Sequence, residues 1–303
     1  MQVIRHYAFA QHPPCVLAIG NFDGMHLGHQ TLLRELVQYS RAQGLVAAVM
    51  TFEPHPREFF TPHQAPARLA SLREKLEWCA ELGIDSLFLQ RFDQTFANIS
   101  SEDFLQQVLL GGVNAQAVMV GEDFRFGAGR KGGVEQIAEA GIKLITLPEV
   151  GINSQTGPQR ISSTAVRNAL ATGDLPTAYQ LLGRHYSISG TVVRGQQLGR
   201  QLGYPTANVH MRHERPALTG VYAVLLDGMA GVANLGVRPT LAGIPKLKLE
   251  VHLFDFNGDL YRRHVHVQFL HKLREEMKFA DLSALKAQIG RDVLAAQAYF
   301  AQS

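Results

Sequence analysis

This chain of 303 residues is poor in several features that would settle its class at once. It has two cysteines, Cys15 and Cys79, and neither belongs to a Cys-x-x-Cys pair. A disulfide framework or a thiolate zinc site is not expected, and a reducing cytoplasm is the expected compartment. No apolar run approaches the roughly 20 residues needed to span a bilayer, so no membrane partner is expected. The segment Met1 to His6 lacks the apolar core of a signal peptide. Charged residues make up 18% of the chain and the net charge is +3, with Lys and Arg scattered rather than gathered on one face. That distribution argues against nucleic acid as a partner. There is no GxxxxGK[ST] and no GxGxxG, which removes the P-loop and the dinucleotide-binding turn. Internal repeats and low-complexity segments are absent, and no Ser-His-Asp or paired-carboxylate device stands out.

What is present is an apolar fraction of 46%, enough for a sizeable core, in a chain long enough for two domains. In the first half, Cys15–Gly20, Leu45–Phe52, Ser86–Phe92, Ala117–Gly121 and Leu144–Leu147 read as strands. They are apolar throughout, as parallel strands covered on both faces must be. His29–Ala42, Leu69–Leu82 and Glu102–Leu110 have helical periodicity, the last capped by Ser100 or Ser101. This alternation predicts a Rossmann-like α/β domain with a parallel sheet. Two short helices, Thr164–Leu170 and Pro176–Leu182, end near Gly173 and Gly183. Composition then changes, giving expected domains at 1–183 and 184–303. Ser187–Val193, Gly220–Leu226, Ala230–Gly236, Lys246–Phe254 and Val265–Phe269 read as antiparallel strands of a small β-barrel. Asp227-Gly228 marks a turn, and Asn257-Gly258 is expected to form a type I′ hairpin joining Leu249–Phe256 to Asp259–Phe269. An amphipathic helix, Leu282–Phe300, closes the chain.

Each half carries a phosphate-handling string. In the first, a strand runs into Gly20-Asn21-Phe22-Asp23-Gly24, followed by His26 and His29 on one face of an opening helix. A helix start offers free N–H groups and a positive dipole end to an anion, and two imidazoles add directed donors. Arg160-Ile161-Ser162-Ser163-Thr164-Ala165-Val166-Arg167 is a second helix start with hydroxyls and guanidinium groups suited to phosphate. Asp123, Phe124, Arg125 and Phe126 follow a strand at the sheet's carboxyl edge; they read either as contacts to an aromatic ring and its phosphate or as a Gly-rich loop with both Phe turned into the core. Thr51 to Pro56 is a weaker candidate loop.

In the second half, Gly199, Arg200, Gly203 and Pro205 shape a loop before Thr206 and Asn208. These two are separated by two residues, so both point one way in extended backbone and offer neutral oxygen ligands to Mg²⁺ held with ATP. Glu250 shares a strand face with Lys248 and His252. It reads as one residue of a solvated face, or, coupled to Thr206 and Asn208, as a general base for a hydroxyl nucleophile.

The first string resembles the HxGH motif of the nucleotidylyltransferase superfamily, and 160–167 resembles its ISSTxxR motif. Gly195, Gly199-Arg200, Leu202-Gly203, Pro205 to Asn208, Leu249 to Leu253 and Gly258-Asp259-Leu260-Tyr261 resemble riboflavin kinase. Over nearly its full length the chain is similar to the bifunctional bacterial riboflavin kinase/FAD synthetase family. The resemblance implies ATP-dependent phosphorylation of riboflavin to FMN, then adenylylation of FMN to FAD with release of pyrophosphate. It implies Mg²⁺ with ATP at Thr206 and Asn208, Glu250 as the kinase base, and Arg274 near nucleotide or flavin. Gly20, Phe22, Asp23, Gly24, His26, His29, Arg160, Ser162, Ser163, Thr164 and Arg167 would hold ATP for adenylylation. Departures are Arg262 after Tyr261, where Gly is usual, and a short stretch from Gly133 to Arg160. Two other readings stay open: a nucleotidylyltransferase for another phosphorylated substrate, with the barrel as a binding module, and a flavin or nucleotide sensor without turnover. Oligomeric state is not legible here.

Overall fold

The computed structural model describes residues 1–7, 12–148, 150–154, 157–195, 197–211, 215, 217–238 and 246–302. Contacts divide the chain into two compact units, one of residues 1–66 and 72–162, the other of residues 67–71 and 163–303.

The first unit is built on six parallel strands: β1 Gln2–Ile4, β2 Cys15–Ile19, β3 Val46–Glu53, β4 Ser86–Arg91, β5 Ala115–Gly121 and β6 Lys143–Leu147. Their order is β1-β4-β3-β2-β5-β6. β2 is apolar at every position because both of its faces are covered. Cys15, Leu17 and Ile19 meet Phe104, Leu105, Val108 and Leu109 on one side. Val16 and Ala18 meet Leu33, Leu36 and Cys79 on the other. The helix α1 Leu27–Gln43 follows β2 and ends at Gly44 in the left-handed region, and α2 Leu72–Glu81 precedes β4. The expected helix over 102–110 is more irregular: Ser100 caps an α-turn, Ser101–Asp103, that runs into a π-helical stretch, Phe104–Leu110. A short antiparallel pair, β7 Gly151–Ser154 and β8 Gly157–Arg160, was not anticipated.

The order of strands places the functional end. From β2 the chain steps outward to β3 and β4, then returns to pair β5 on the opposite side of β2. The carboxyl ends of β2 and β5 therefore flank a topological switch point, where open α/β sheets bind ligands. The Gly20–His29 string leaves β2 there, and Gly121–Arg130 leaves β5.

The second unit begins with α3 Ser163–Thr172 and α4 Leu175–Leu182. By contact these helices group with the barrel, although composition changes only at Gly183. The barrel is closed, in the order β10-β13-β12-β11-β14-β9. Its strands are β9 Ser187–Val193, β10 Ala207–His210, β11 Gly220–Leu226, β12 Met229–Arg238, β13 Lys246–Leu253 and β14 His264–Arg274, followed by α5 Leu282–Gln302. Asp227 and Gly228, with φ of 47° and 85°, make the primed turn between β11 and β12. The expected Asn257-Gly258 hairpin is not formed. β13 pairs with β10 and β12, and β14 with β11 and β9, so closure of the barrel separates the two strands that this turn would have joined. Neither Asn257 nor Gly258 has positive φ; Asp255 and Arg262 do.

Candidate active sites

In the first unit the turn after β2 is tightly wound. Phe22, Gly24 and Met25 all adopt positive φ, of 47°, 78° and 42°. For Phe and Met this backbone is strained, and it persists because both side chains are buried in the core. The turn delivers His26 to the N-cap of α1, where its Nδ1 accepts the His29 N–H at 3.3 Å. The two rings stack with centroids 3.6 Å apart. Gly28 makes room for this: a Cβ there would lie 3.3 Å from the His26 ring and 3.9 Å from the Ile161 carbonyl. Asp23 and His26 are buried.

His29 Nδ1 is shut off from solvent and has no hydrogen-bond partner. Burial, then the neighbouring His26 and Lys75, hold its pKa well below the ordinary 6.5, so the ring is neutral at pH 7. An unpartnered ring nitrogen beside a helix start is suited to receive a phosphate oxygen through an N–H. The Lys75 ammonium, buried as well, donates to Thr51 Oγ1 at 3.2 Å, and Thr51 donates to the Asn21 carbonyl at 3.3 Å. Lys75 was not singled out from sequence, since it is one of five charged residues in α2, and only burial sets it and Glu74 apart.

The other strings fall as follows. Arg160, at the end of β8, pairs with Asp123 at 3.2 Å. Ser162 ends the first unit, while Ser163, Thr164 and Arg167 lie on the opening turns of α3 in the second. Arg167 Nε donates to the Ala67 carbonyl at 2.6 Å. Phe126 is a core residue packed on Phe104, Phe124 is half-buried beside it, and Arg125 is exposed. Of the two readings of this loop, the burial of Phe126 corresponds to the second. A different aromatic surface, unforeseen from sequence, lies at the carboxyl ends of β3 and β4. There Phe92 meets Phe52, Phe59 and Phe60 edge to face at 5.6–5.9 Å, and Phe60 is 61% exposed. His55 caps the turn that presents Phe59 and Phe60, in a reciprocal box with Glu58.

The second unit holds a cavity of about 190 Å³ lined by Gly199, Tyr204, Thr206, Asn234, Glu250 and Arg274, among others. Barrel register explains how they meet. Asn208 on β10 and Asn234 on β12 each lie directly opposite Glu250 on β13, so three polar residues form one row across three strands. Asn234 was missed from sequence because a lone Asn in an apolar strand gains meaning only with its register. Gly195 accommodates the row: a Cβ there would lie 2.5–2.6 Å from the Asn208 side-chain atoms. Gly199 is equally constrained, since its Cβ would collide with the Tyr204 carbonyl while its own carbonyl accepts the Tyr204 N–H at 2.7 Å. Gly203, at φ 91°, turns the loop, and the Pro205 carbonyl bonds His252 Nδ1 at 2.8 Å. Arg200 is exposed and is not among the cavity's lining residues.

Arg274 is held from the side. Nε and Nη2 donate to the two carboxylate oxygens of Asp292 on α5 at 2.9 and 2.7 Å, and Nη1 donates to the Glu275 carbonyl at 2.8 Å. The cavity lining also includes apolar side chains, Val221, Val232, Leu285 and Ile289. A half-apolar, half-polar cavity with a carboxylate between two amides suits a flat ring carrying a hydroxylated chain. The oxygen donors of Thr206 and Asn208 suit Mg²⁺, which keeps most of its ligands from water and nucleotide.

The chain matches the FAD synthetase family over residues 8–165 and the riboflavin kinase family over residues 182–300. A bifunctional riboflavin kinase/FMN adenylyltransferase of Pseudomonas fluorescens is 46% identical, covering 100% of this chain and 99% of the relative. The enzyme of the same name from Escherichia coli K12 is 46% identical over 98% of this chain and 96% of its own length. That of Haemophilus influenzae is 43% identical over 99% of both chains. A crystal structure named as a macrolide-efflux protein from Streptococcus pneumoniae shares the fold, with a TM-score of 0.79 at 29% identity over 96% of both chains. Among the described residues no helix is long and apolar enough to cross a membrane. The chain thus carries two family matches in order and has relatives similar from end to end: it belongs to the bifunctional riboflavin kinase/FMN adenylyltransferase family, whose members phosphorylate riboflavin to FMN with ATP and convert FMN to FAD.

Proposed function

We propose that the barrel cavity is where riboflavin is phosphorylated and that the switch point of the parallel sheet is where FMN is adenylylated. Residues 1–183 and 184–303 are then the adenylyltransferase and kinase domains. In the kinase, Glu250 takes the proton of the ribityl 5′-hydroxyl as its oxygen bonds the γ-phosphorus of ATP and ADP departs. Asn208 and Asn234 flank the carboxylate and orient it. Thr206 and Asn208 would hold Mg²⁺, which supplies charge neutralisation to the nucleotide phosphates. Gly199, Arg200, Gly203 and Pro205 shape the phosphate approach, and Arg274 borders the flavin.

At the sheet, a phosphate oxygen of FMN attacks the α-phosphorus of ATP and pyrophosphate leaves. The attacking phosphate is already ionised at neutral pH, so no general base is required. His26, His29 and the start of α1 hold the triphosphate, with Gly20, Phe22, Asp23 and Gly24 shaping the turn. Arg160 and Ser162 add nucleotide contacts in the first unit, and Ser163, Thr164 and Arg167 are further ATP candidates at the start of α3. Asp123, Phe124 and Arg125 remain flavin candidates, joined by the aromatic surface around Phe92. Two free, buried thiols and small-molecule substrates support a cytoplasmic setting.

The observation that carries this reading is the row Asn208–Glu250–Asn234 at a cavity also lined by Thr206. A chromatographic time course with riboflavin, ATP and Mg²⁺ tests it. Glu250→Gln should leave riboflavin unchanged yet convert supplied FMN to FAD, and His26→Ala with His29→Ala should stop at FMN. Full kinase turnover in Glu250→Gln would remove the base assignment.

A further inference from the structure

The kinase cavity carries a cation whose position the preceding reading does not use. Lys248 precedes Glu250 by two residues on β13, so both side chains share one face, and its Nζ lies 2.7 Å from Glu250 Oε1. Both line the cavity, and both are partly open, at 34% and 27% exposure. Arg274, the other cavity-lining cation among Lys and Arg, is committed to Asp292 through two N–H groups and to the Glu275 carbonyl through a third. Its charge is balanced by a buried carboxylate. The cavity also presents Glu276, whose side chain lies over Gly236, the residue opposite Lys248 on β12. An incoming triphosphate therefore meets several carboxylates and one lysine on a flexible stem.

We propose that Lys248 is the γ-phosphate cation of the kinase, and that in the free enzyme it rests on the base and blocks it. The inference depends on Glu250 being the base. The nucleophilic hydroxyl must lie about 3 Å from the carboxylate and its oxygen about 3 Å from the γ-phosphorus. The carboxylate is thus within about 6 Å of the γ-phosphorus and the ammonium touching it within about 9 Å, a gap that rotation of a four-carbon side chain can close. When ATP binds, the ammonium swings from Glu250 Oε1 to a γ-phosphoryl oxygen. The freed carboxylate then accepts the 5′-hydroxyl proton, the O–Pγ bond forms, and the bond from Pγ to the leaving oxygen breaks with its electrons going to ADP. The exchange is facile because a partly exposed ion pair holds weakly and a phosphoryl oxygen offers more negative charge. Nucleotide binding and release of the base become one event, so riboflavin meets an active base only when ATP is in place.

The test is steady-state riboflavin phosphorylation by the full chain, comparing Lys248→Gln and Lys248→Arg with the parent. Lys248→Gln should raise KM for ATP about tenfold. The inhibition constant of ADP, which lacks the γ-phosphate, should change less than about twofold, and KM for riboflavin and FAD formation from supplied FMN should stay as in the parent. Lys248→Arg should recover most of the ATP affinity. A merely structural lysine would move the ATP and ADP constants together, and that result overturns the proposal, as does an unchanged KM for ATP. Glu250→Gln is run alongside. If it retains turnover the base reading fails, whereas if it is inactive while Lys248→Gln keeps the parent's KM, the lysine proposal alone fails.

Discussion

Asp292→Ala offers a severe test of how α5 is tied to the barrel. Asp292 is 8% exposed and Arg274 19%, and the pair is joined at two points, 2.7 and 2.9 Å, with Gln288 donating to Asp292 at 2.8 Å. Removing one partner of a buried pair costs about 3–5 kcal/mol, chiefly because the other charge is left without a counterion. Here the cost falls at or just below that range. Arg274 keeps the Glu275 carbonyl and borders a cavity that water can enter, so about 2–3 kcal/mol is expected. For a unit of this size that corresponds to a fall of roughly 5–10 °C in melting temperature. Thermal unfolding followed by circular dichroism measures it. Trp78, the chain's single tryptophan, lies in α2 of the first unit, so its fluorescence is an internal reference that should move less. The double variant Arg274→Met with Asp292→Leu should regain most of the lost stability while riboflavin phosphorylation stays impaired. A melting curve for Asp292→Ala that overlays the parent would refute the reasoning, since it would mean the pair contributes nothing net.

The depressed pKa of His29 fixes a direction with pH. A group neutral in the fold but protonated at an ordinary 6.5 when unfolded makes the unfolded state bind more protons below that value. Stability should therefore fall as pH drops below about 6.5, and His29→Asn should flatten the slope in urea titrations at pH 7.5 and 5.5. Burial lowers His12 in the same sense, so some slope remains in that variant. Burial also pushes both thiols up to about 12. The native protein should then show no fast reaction with a thiol-specific disulfide reagent at pH 8, and two equivalents after denaturation. Gly195→Ala should cut riboflavin phosphorylation at least tenfold and leave FMN adenylylation intact, because its Cβ would displace the Asn208 amide at a cost of about 1–3 kcal/mol. Equal losses in both activities would point instead to global misfolding.

Much of the molecule was legible because its signals are local. A continuous apolar run such as Val16 to Ile19 states that both faces of a strand are covered, and His26 and His29 stood out as candidates through the ten-residue string around them, since their spacing alone equally suits a cap and a surface residue. What stayed hidden depends on pairings between distant segments. Asn257-Gly258 satisfies every local rule for a hairpin, yet the barrel pairs β13 and β14 with other strands, and tertiary closure overrides the turn. Asn234 is a lone amide in an apolar strand and Lys75 one charge among several in α2, and only register or burial reveals what they face. The Phe92 surface draws on residues some forty apart in sequence, too far for any periodicity to connect them. Phe126, in a glycine-rich loop, looked as much like a ligand contact as a core residue until packing was known.

One property of the barrel reaches further than its shape. β10 spans only Ala207–His210, yet it is the strand that seals the cylinder between β9 and β13, and it carries Asn208. The strand that closes the sheet and the one that carries Asn208 into the row are thus the same four residues. An open barrel lacks a protected edge and, with Asn208 acting as proposed above, a complete kinase site, so a half-assembled barrel should phosphorylate no riboflavin rather than do so slowly. Phosphorylation of riboflavin can serve as a stopwatch for closure itself: during refolding, the first FMN should appear no sooner than β10 is zipped in.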